Sequence, residues 1–172
     1  MRIRTATTTD IPGIARLIQK LAEHDGMAAP PFERLTETLH TLLDSGASAY
    51  IVAEAEYPPL SPRGRGEGAL ECGSHAAAFS ADNNIIGTMQ LAFRLTTWEA
   101  APYVYMEDFF VEEEYRAQGI GSAMLDLAVQ VARERGCVRM DLDVLQASEE
   151  ARRFYARHGF VDQQRLYLRL VL

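Results

Sequence analysis

The hydrophobic positions of this chain follow two periods, one typical of helices and one typical of strands. Residues 11–22 carry apolar side chains at helical spacing behind Asp10, which is expected to cap a helix, and residues 32–43 repeat this spacing. A third amphipathic stretch covers residues 119–135 and ends at Gly136. The pattern therefore predicts helices that each bury one face.

Short apolar segments between these helices predict strands. They are MRIRTA at 1–6, AYIVAEA at 49–55, NIIGTMQLAF at 84–93, APYVYMEDFFV at 101–111 and CVRMDLDVL at 137–145. A helix capped by Ser148 is expected within 148–160, followed by a last strand, RLYLRLVL, at 165–172. Alternating strands and helices of this length indicate an α/β protein.

One segment, residues 58–82, has no period and is rich in Pro, Gly, Ser and Ala, which predicts a mobile inserted loop. The rest of the chain is expected to form a single domain spanning residues 1–172. A chain of 172 residues is long enough for one ordinary core and too short for two comfortable ones.

Composition narrows the possible functions. The net charge of −7 argues against broad nucleic-acid binding, which depends on neutralising phosphates, and weakly favours a cationic small partner. No apolar run approaches the roughly 20 residues that span a bilayer, so we expect a cytoplasmic protein without a membrane partner. Cys72 and Cys137 have no metal-ligand spacing, so both are expected to be free thiols and no metal site is expected.

The segment YRAQGIGSAML, residues 115–125, places two glycines between a predicted strand and a predicted helix. Free backbone N–H groups at a helix start collect anions, and glycine lets a phosphate approach the backbone. A dinucleotide fingerprint would need a third glycine where Met124 stands, and a Walker loop would need Gly-Lys-Ser/Thr. The turn therefore indicates some other phosphorylated ligand.

The pattern Arg116-x-x-Gly119-x-Gly121 resembles the acetyl-CoA pyrophosphate loop of the GNAT N-acetyltransferases. ARRFYARHGF at 151–160 resembles the second signature of that family, and YVYMEDFFVEEEYRAQGIGS is most similar to its diamine acetyltransferases. The resemblance implies an α/β GNAT fold, a central, mostly antiparallel mixed sheet splayed in the middle with helices on both faces. It also implies acetyl-CoA as cosubstrate, a small-molecule amine as substrate and a homodimer.

The resemblance also implies roles for individual residues. Tyr155 would protonate the departing CoA thiolate, and Ser148 stands where many relatives have the asparagine that contacts pantetheine. Trp98 would contact the substrate, or else serve as a plain hydrophobic anchor. The residues expected to contact acetyl-CoA are Phe109, Phe110, Val111, Arg116, Ala117, Gln118, Gly119, Ile120, Gly121, Ser122, Ser148 and Ala151.

Acetyl transfer needs a neutral amine, yet an alkylammonium has a pKa of about 10.4. Glu107 and Asp108 are the candidates to remove its proton, with Glu107 assigned to catalysis and Asp108 to substrate binding. Adjacent strand residues face opposite ways, so both enter the site only if the strand bulges, as it does in the family. Residues 112–114, three glutamates, are expected to form a solvated turn.

The expected function is acetyl-CoA-dependent N-acetylation of a small amine such as a polyamine or thialysine. One alternative keeps the fold and changes the acceptor to a peptide or protein amine or an aminoglycoside. Another is an acyl-CoA-binding sensor without turnover, which would not need Tyr155 or the acid pair.

Overall fold

The structure is a computed structural model that describes residues 1–55 and 84–170. The chain divides into two compact units, Met1–Leu142 and Asp143–Leu172. The insertion predicted at 58–82, including Cys72, lies outside the described residues, and the expectation of a single domain stays a prediction. Cys137 is a free thiol, as expected.

The first unit contains the sheet and three of the helices found in the described residues. Its elements are β1 (Arg2–Thr5), α1 (Ile11–His24), α2 (Phe32–Asp44), β2 (Ser48–Glu54), β3 (Ile85–Thr96), β4 (Ala101–Val111), α3 (Ile120–Glu134) and β5 (Met140–Leu142). The second unit contains α4 (Glu149–Arg157). Most predicted elements are therefore confirmed, although β5 is shorter than the predicted strand at 137–145.

The five strands lie in the order β1-β2-β3-β4-β5, and every neighbouring pair is antiparallel except β4 with β5. The parallel pairing is short, because it joins only residues 104–106 of β4 to residues 140–142 of β5. β4 then continues to Val111 without β5 beside it. The predicted mostly antiparallel sheet that opens in its middle is confirmed.

Helices cover both faces of this sheet. Tyr50 and Val52 of β2 belong to a buried cluster built with α1 and α2. Ala53, the next residue along β2, faces the other way. On that second face, a Cβ atom added to Gly87 would lie 3.0 Å from the Met124 sulfur of α3 and 3.2 Å from the Ala53 Cβ. Gly87 thus allows α3 to pack closely against β3.

Asp10 stands at the start of α1, but its carboxylate does not cap that helix. It accepts two hydrogen bonds from the Arg4 guanidinium, at 2.7 and 2.8 Å, and one from the Thr7 backbone N–H at 2.8 Å. Burial alone would raise the pKa of Asp10, but these bonds outweigh burial and lower it. Asp10 therefore joins β1 to the turn before α1, which corrects the predicted role.

The predicted strand at 165–172 is wrong over its described part. Residues 161–170 have no regular secondary structure, and no strand lies within the described residues of the second unit to pair with them. Leu166, Leu168 and Leu170 alternate as in a strand but are 84–89% exposed. Alternating apolar residues form a strand only beside a partner, which the pattern could not supply.

Across residues 1–55 and 84–170, no helix is long and apolar enough to cross a membrane. In the same part of the chain, no three His, Cys, Asp or Glu side chains are grouped so as to hold a metal ion.

Candidate active site

β4 is distorted where the acidic pair lies. The cross-strand pairs on either side of the distortion are Gln90 with Glu107 and Thr88 with Phe110. Asp108 and Phe109 therefore lie opposite Met89 alone, and Asp108 has a positive φ of 50°. Asp tolerates this left-handed conformation better than most residues do. The strand therefore bulges at Asp108, which is the condition under which both carboxylates were expected to reach the site.

Both carboxylates act on the same buried phenol, that of Tyr50 on β2. Burial raises the pKa of Tyr50 most, and the charges of Asp108 and then Glu107 raise it further. Tyr50 packs in the cluster with α1 and α2, and the register Tyr50–Gln90–Glu107 puts Glu107 on that face of the sheet. The charge of Asp108 acts on the same phenol from the bulge. The bulge thus brings two acidic groups together that a regular strand would separate.

Asp108 is half-buried, and its pKa is raised from its ordinary value of 3.8 to about 6. Loss of solvation is the larger cause, and the neighbouring charge of Glu107 is the second. A carboxylate with this pKa is ionised at neutral pH and still binds a proton far better than an exposed aspartate does. The group is therefore suited to accept a proton from a bound amine.

Beyond the bulge, β4 runs past the last residue of β5, and no strand of the described residues pairs with its outer edge there. The Glu112 N–H donates to the Ile86 carbonyl at 2.9 Å, and Phe110 pairs with Thr88. Because hydrogen-bonding direction alternates along a strand, the backbone of Val111 faces the outer edge. There the Val111 carbonyl accepts a hydrogen bond from Arg116 Nε at 2.9 Å, which leaves the N–H of Val111 directed to the same edge.

The glycine turn leads from this strand into α3. Gly119 has a φ of +80°, and a Cβ added there would have no atom within 4 Å, so conformation rather than crowding favours glycine. The Ala123 N–H donates to the Gly119 carbonyl at 3.0 Å, the first i to i−4 bond that a helix starting at Ile120 can make. The N–H groups of Ile120 and Gly121 precede that bond and point out of the helix start.

The remaining residues of the predicted turn surround this start. Ala117 has a positive φ of 59°, and residues 117–119 are exposed. The Arg116 guanidinium lies 5.4 Å from the centre of the Phe110 ring, besides its bond to Val111. The turn therefore presents backbone groups to solvent while its arginine supports the end of β4.

Glu112 is not part of a solvated turn, which corrects the prediction for the first of the three glutamates. Its Oε1 lies 2.5 Å from Arg16 Nη1 and 2.7 Å from Lys20 Nζ, both on α1. Although burial would raise the pKa of Glu112, these two cations lower it. Glu113 and Glu114 are exposed, as expected. α1 is thereby fastened to the end of the bulged strand.

Tyr155, Ser148 and Ala151 belong to the second unit. Ser148 precedes α4 without a side-chain cap, and its carbonyl accepts the Arg152 N–H at 3.1 Å. The Tyr155 ring packs edge-on against Phe154 and Phe160, with centroids 5.3 and 5.5 Å away. Burial raises the pKa of Tyr155 to about 12, so its hydroxyl keeps its proton at neutral pH.

Trp98 lies in the turn between β3 and β4 and is 95% exposed. Asp108 lies seven positions after Ala101, the start of β4, which is about 23 Å of extended chain. The structure therefore does not bring Trp98 to the acidic pair within one chain. Its contact with substrate stays a prediction.

Sequence reasoning missed three polar residues beside the acidic pair, which are Ser48, Tyr50 and Gln90. Gln90 is buried and donates from Nε2 to Ser48 Oγ at 3.2 Å. The sequence feature that could have indicated them is the presence of Gln90 and Ser48 in strand segments that are otherwise mostly apolar. The alignment of Tyr50 and Gln90 with Glu107 depends on strand register, which the sequence pattern does not reveal.

The bulged strand, the open edge and the glycine turn agree with the family match. Residues 31–160 match the model of the acetyltransferase (GNAT) family, and the chain belongs to that family. It is an acetyl-CoA-dependent N-acetyltransferase of the GNAT type.

The chain is similar to several individual acetyltransferases. The chain is 29% identical over 163 residues to the thialysine N-epsilon-acetyltransferase of Bos taurus, covering 93% of this chain and 84% of that protein. It is 31% identical over 91 residues to streptothricin acetyltransferase A of Bacillus subtilis, covering 53% of this chain and 50% of that protein. A predicted acetyltransferase of Clostridium acetobutylicum, solved with acetyl-CoA, is similar in fold, with a TM-score of 0.70, 22% identity and coverage of 98% and 95%.

The raised pKa of Asp108 predicts a stability cost at neutral pH. In the folded protein this group binds a proton more tightly than in the unfolded chain, so stability falls as pH rises from about 4 to about 6. We expect Asp108→Asn, which tolerates the positive φ, to raise the free energy of unfolding at pH 7 by up to about 2 kcal/mol.

Urea unfolding at pH 7 and pH 4 measures this effect, with the exposed Asp44→Asn as the matched control. The gain from Asp108→Asn should disappear at pH 4. An equal gain at both pH values would show that the Asp108 charge is not the cause.

Proposed function

We propose that this protein transfers the acetyl group of acetyl-CoA to the primary amine of a small cationic acceptor, a diamine or a thialysine-like amino acid. The observation that carries the proposal is the bulge at Asp108, where the charges of both Glu107 and Asp108 act on the Tyr50 phenol. Two carboxylates beside each other attract an ammonium group more strongly than either would alone. The similarity to thialysine N-epsilon-acetyltransferase supports the same substrate class.

The two carboxylates take different parts in the reaction. Asp108 accepts the ammonium proton, directly or through a water, because burial raises its pKa to about 6. Glu107 remains as the counter-charge that holds the cationic acceptor. This assignment is the reverse of the one made from the sequence, and the burial of Asp108 at the bulge is the reason for it.

Acetyl-CoA would lie along the open edge of β4 and reach the glycine turn. The outward N–H of Val111 would pair with the pantetheine arm, and the N–H groups of Ile120 and Gly121 would bind the pyrophosphate. The other proposed contacts are Phe109, Phe110, Arg116, Ala117, Gln118, Gly119, Ser122, Ser148 and Ala151. Binding the thioester and the amine in one site removes much of the entropy cost of their encounter.

Attack of the neutral amine on the thioester carbonyl forms a tetrahedral intermediate, and its collapse breaks the carbon–sulfur bond and releases a thiolate. Tyr155 is proposed to donate its hydroxyl proton to that sulfur. Its pKa of about 12 keeps the hydroxyl protonated at neutral pH, which a donor requires.

A second acceptor class is favoured by one observation, the similarity to streptothricin acetyltransferase A over about half of each chain. An amine-bearing antibiotic would also bring cationic groups to the acidic pair. The homodimer and the substrate contact of Trp98 remain proposals, supported only by the resemblance and by the exposure of the apolar side chains concerned.

Release of CoA thiol from acetyl-CoA across putrescine, spermidine, thialysine, lysine and an aminoglycoside tests the proposal. We expect turnover on a diamine or thialysine, and a kcat/KM for the amine that falls as pH drops through about 6. Asp108→Asn should lower kcat by about 100-fold and remove that acid limb. Glu107→Gln should mainly raise the KM of the amine and keep an acid limb, which moves to lower pH because the Glu107 charge no longer raises the pKa of Asp108.

An acid limb that persists in Asp108→Asn and vanishes in Glu107→Gln would restore Glu107 as the base. Turnover on none of the amines, despite measurable acetyl-CoA binding, would contradict the proposed substrate class.

Tyr155→Phe tests the proton donor. We expect kcat to fall by about 100-fold or more while the Kd of acetyl-CoA, measured by calorimetry, stays within about twofold. Tyr167→Phe, a tyrosine of the same unit that is 63% exposed, is the matched control and should behave as the unmodified protein does. Equal kcat in Tyr155→Phe and the unmodified protein would refute the donor role.

A further inference from the structure

Three strands each contribute one side chain to a single row that ends at the acidic pair. Tyr50 of β2 is aligned with Gln90 of β3, and Gln90 is aligned with Glu107 of β4. Directly opposed residues project from the same face, with Cβ atoms about 5 Å apart. Tyr50 packs with α1 and α2, so the whole row lies on the face of the sheet that those helices cover.

Gln90 is held in place from the side opposite Glu107. Its Nε2 donates to Ser48 Oγ at 3.2 Å, and the two residues are only 7% and 5% exposed. An amide offers two donors and an acceptor oxygen, so the bond to Ser48 uses one position and fixes the plane of the group. Burying an amide costs free energy unless the amide is hydrogen-bonded. An apolar side chain would fill the position next to Glu107 without that cost, so we expect the amide of Gln90 to have a role there.

Tyr50 faces the same carboxylates from β2. It is 1% exposed, and its pKa is raised by burial first and by the charges of Asp108 and Glu107 second. Its hydroxyl therefore keeps its proton and presents a neutral dipole to two negative groups. A neutral donor that bonds to a carboxylate favours its ionised form.

We infer that Tyr50 and Gln90 are positioning residues of the acceptor site, which orient the carboxylates of Asp108 and Glu107 and stabilise their ionised forms. The inference deepens the proposed function and rests on it for its consequence in catalysis. Ser48 supports the row through Gln90. Neither Tyr50 nor Gln90 touches the reacting atoms in this role.

Several groups besides Tyr50 and Gln90 surround the bulge and must be considered in a titration of Asp108. On β4 the neighbouring charge is Glu107, and on β2 the titratable group is Tyr50. From α1, the His24 ring lies 6.4 Å from the ring of Phe110, which follows the bulge. α2 packs on this face through the apolar residues Leu35 and Leu39, and β3 contributes the neutral Gln90.

The test is a carboxyl carbon NMR titration of the full chain without substrate, with Asp108→Asn used to assign the Asp108 signal. Tyr50→Phe and Gln90→Met keep the size of each side chain and remove its hydrogen-bonding group. We expect each to raise the pKa of Asp108 above about 6, by about half a unit or more. Tyr103→Phe, the same change four residues and about 13 Å before Glu107 on β4, should leave the titration unchanged.

A shift within about 0.2 units of the unmodified protein in Tyr50→Phe or Gln90→Met would overturn the role of that residue. Should Tyr50→Phe not fold, Ser48→Ala releases Gln90 without altering the row, and it should move the titration in the same direction. Circular dichroism of every variant separates these shifts from loss of the fold.

Kinetics provide the second readout. Gln90→Met should raise the KM of the amine about fivefold, the value of one hydrogen bond, while the KM of acetyl-CoA stays the same. An equal rise in both KM values would indicate a general structural effect and count against the inference. Because the NMR titration needs no substrate, failure of the proposed function would appear as absent amine turnover with the Asp108 shifts intact.

Discussion

The irregular backbone at Asp108 is the constraint on which the rest of the site depends. In a regular strand, Glu107 and Asp108 would face opposite sides of the sheet, and only one could reach an acceptor. The extra residue in β4, with Asp108 at a positive φ of 50°, places both near Tyr50. Such a conformation costs free energy and persists only where the surrounding structure enforces it.

Neighbouring contacts supply that enforcement. Before the bulge, β4 is paired on both edges, with β3 and with β5. After it, Glu112 is fastened to Arg16 and Lys20 of α1, and Arg116 closes back on the Val111 carbonyl. These contacts fix the position of the end of β4 and of the glycine turn that follows it. The groups proposed to bind the acceptor and acetyl-CoA, apart from Ser148, Ala151 and Tyr155, therefore lie in one continuous stretch from Glu107 to Ser122.

Much of the fold followed from the sequence because helical and strand periods are local properties. The bounds of β4 match the predicted segment at 101–111, and α3 starts at the glycine turn as expected. The hydrophobic periodicity did not predict the bulge, and only the family resemblance suggested it. The motif at Arg116, Gly119 and Gly121 was informative because backbone conformation at a helix start leaves a sequence signature.

What the sequence could not supply depends on pairing between distant segments. The ion pairs of Glu112 require α1 to cross the end of β4, and the row through Tyr50 and Gln90 requires the register of three strands. The predicted last strand failed for the same reason, since alternation indicates a capacity to pair without naming a partner.

The most direct test of the account is a backbone amide NMR titration of the protein with acetyl-CoA. If the bulge and the short β5 open the edge of β4 to the cosubstrate, the amide signals of Val111, Ile120 and Gly121 should move most. Signals from β1 and the paired start of β2 should stay in place. Saturable binding that moves other signals and leaves those three amides unchanged would contradict the account.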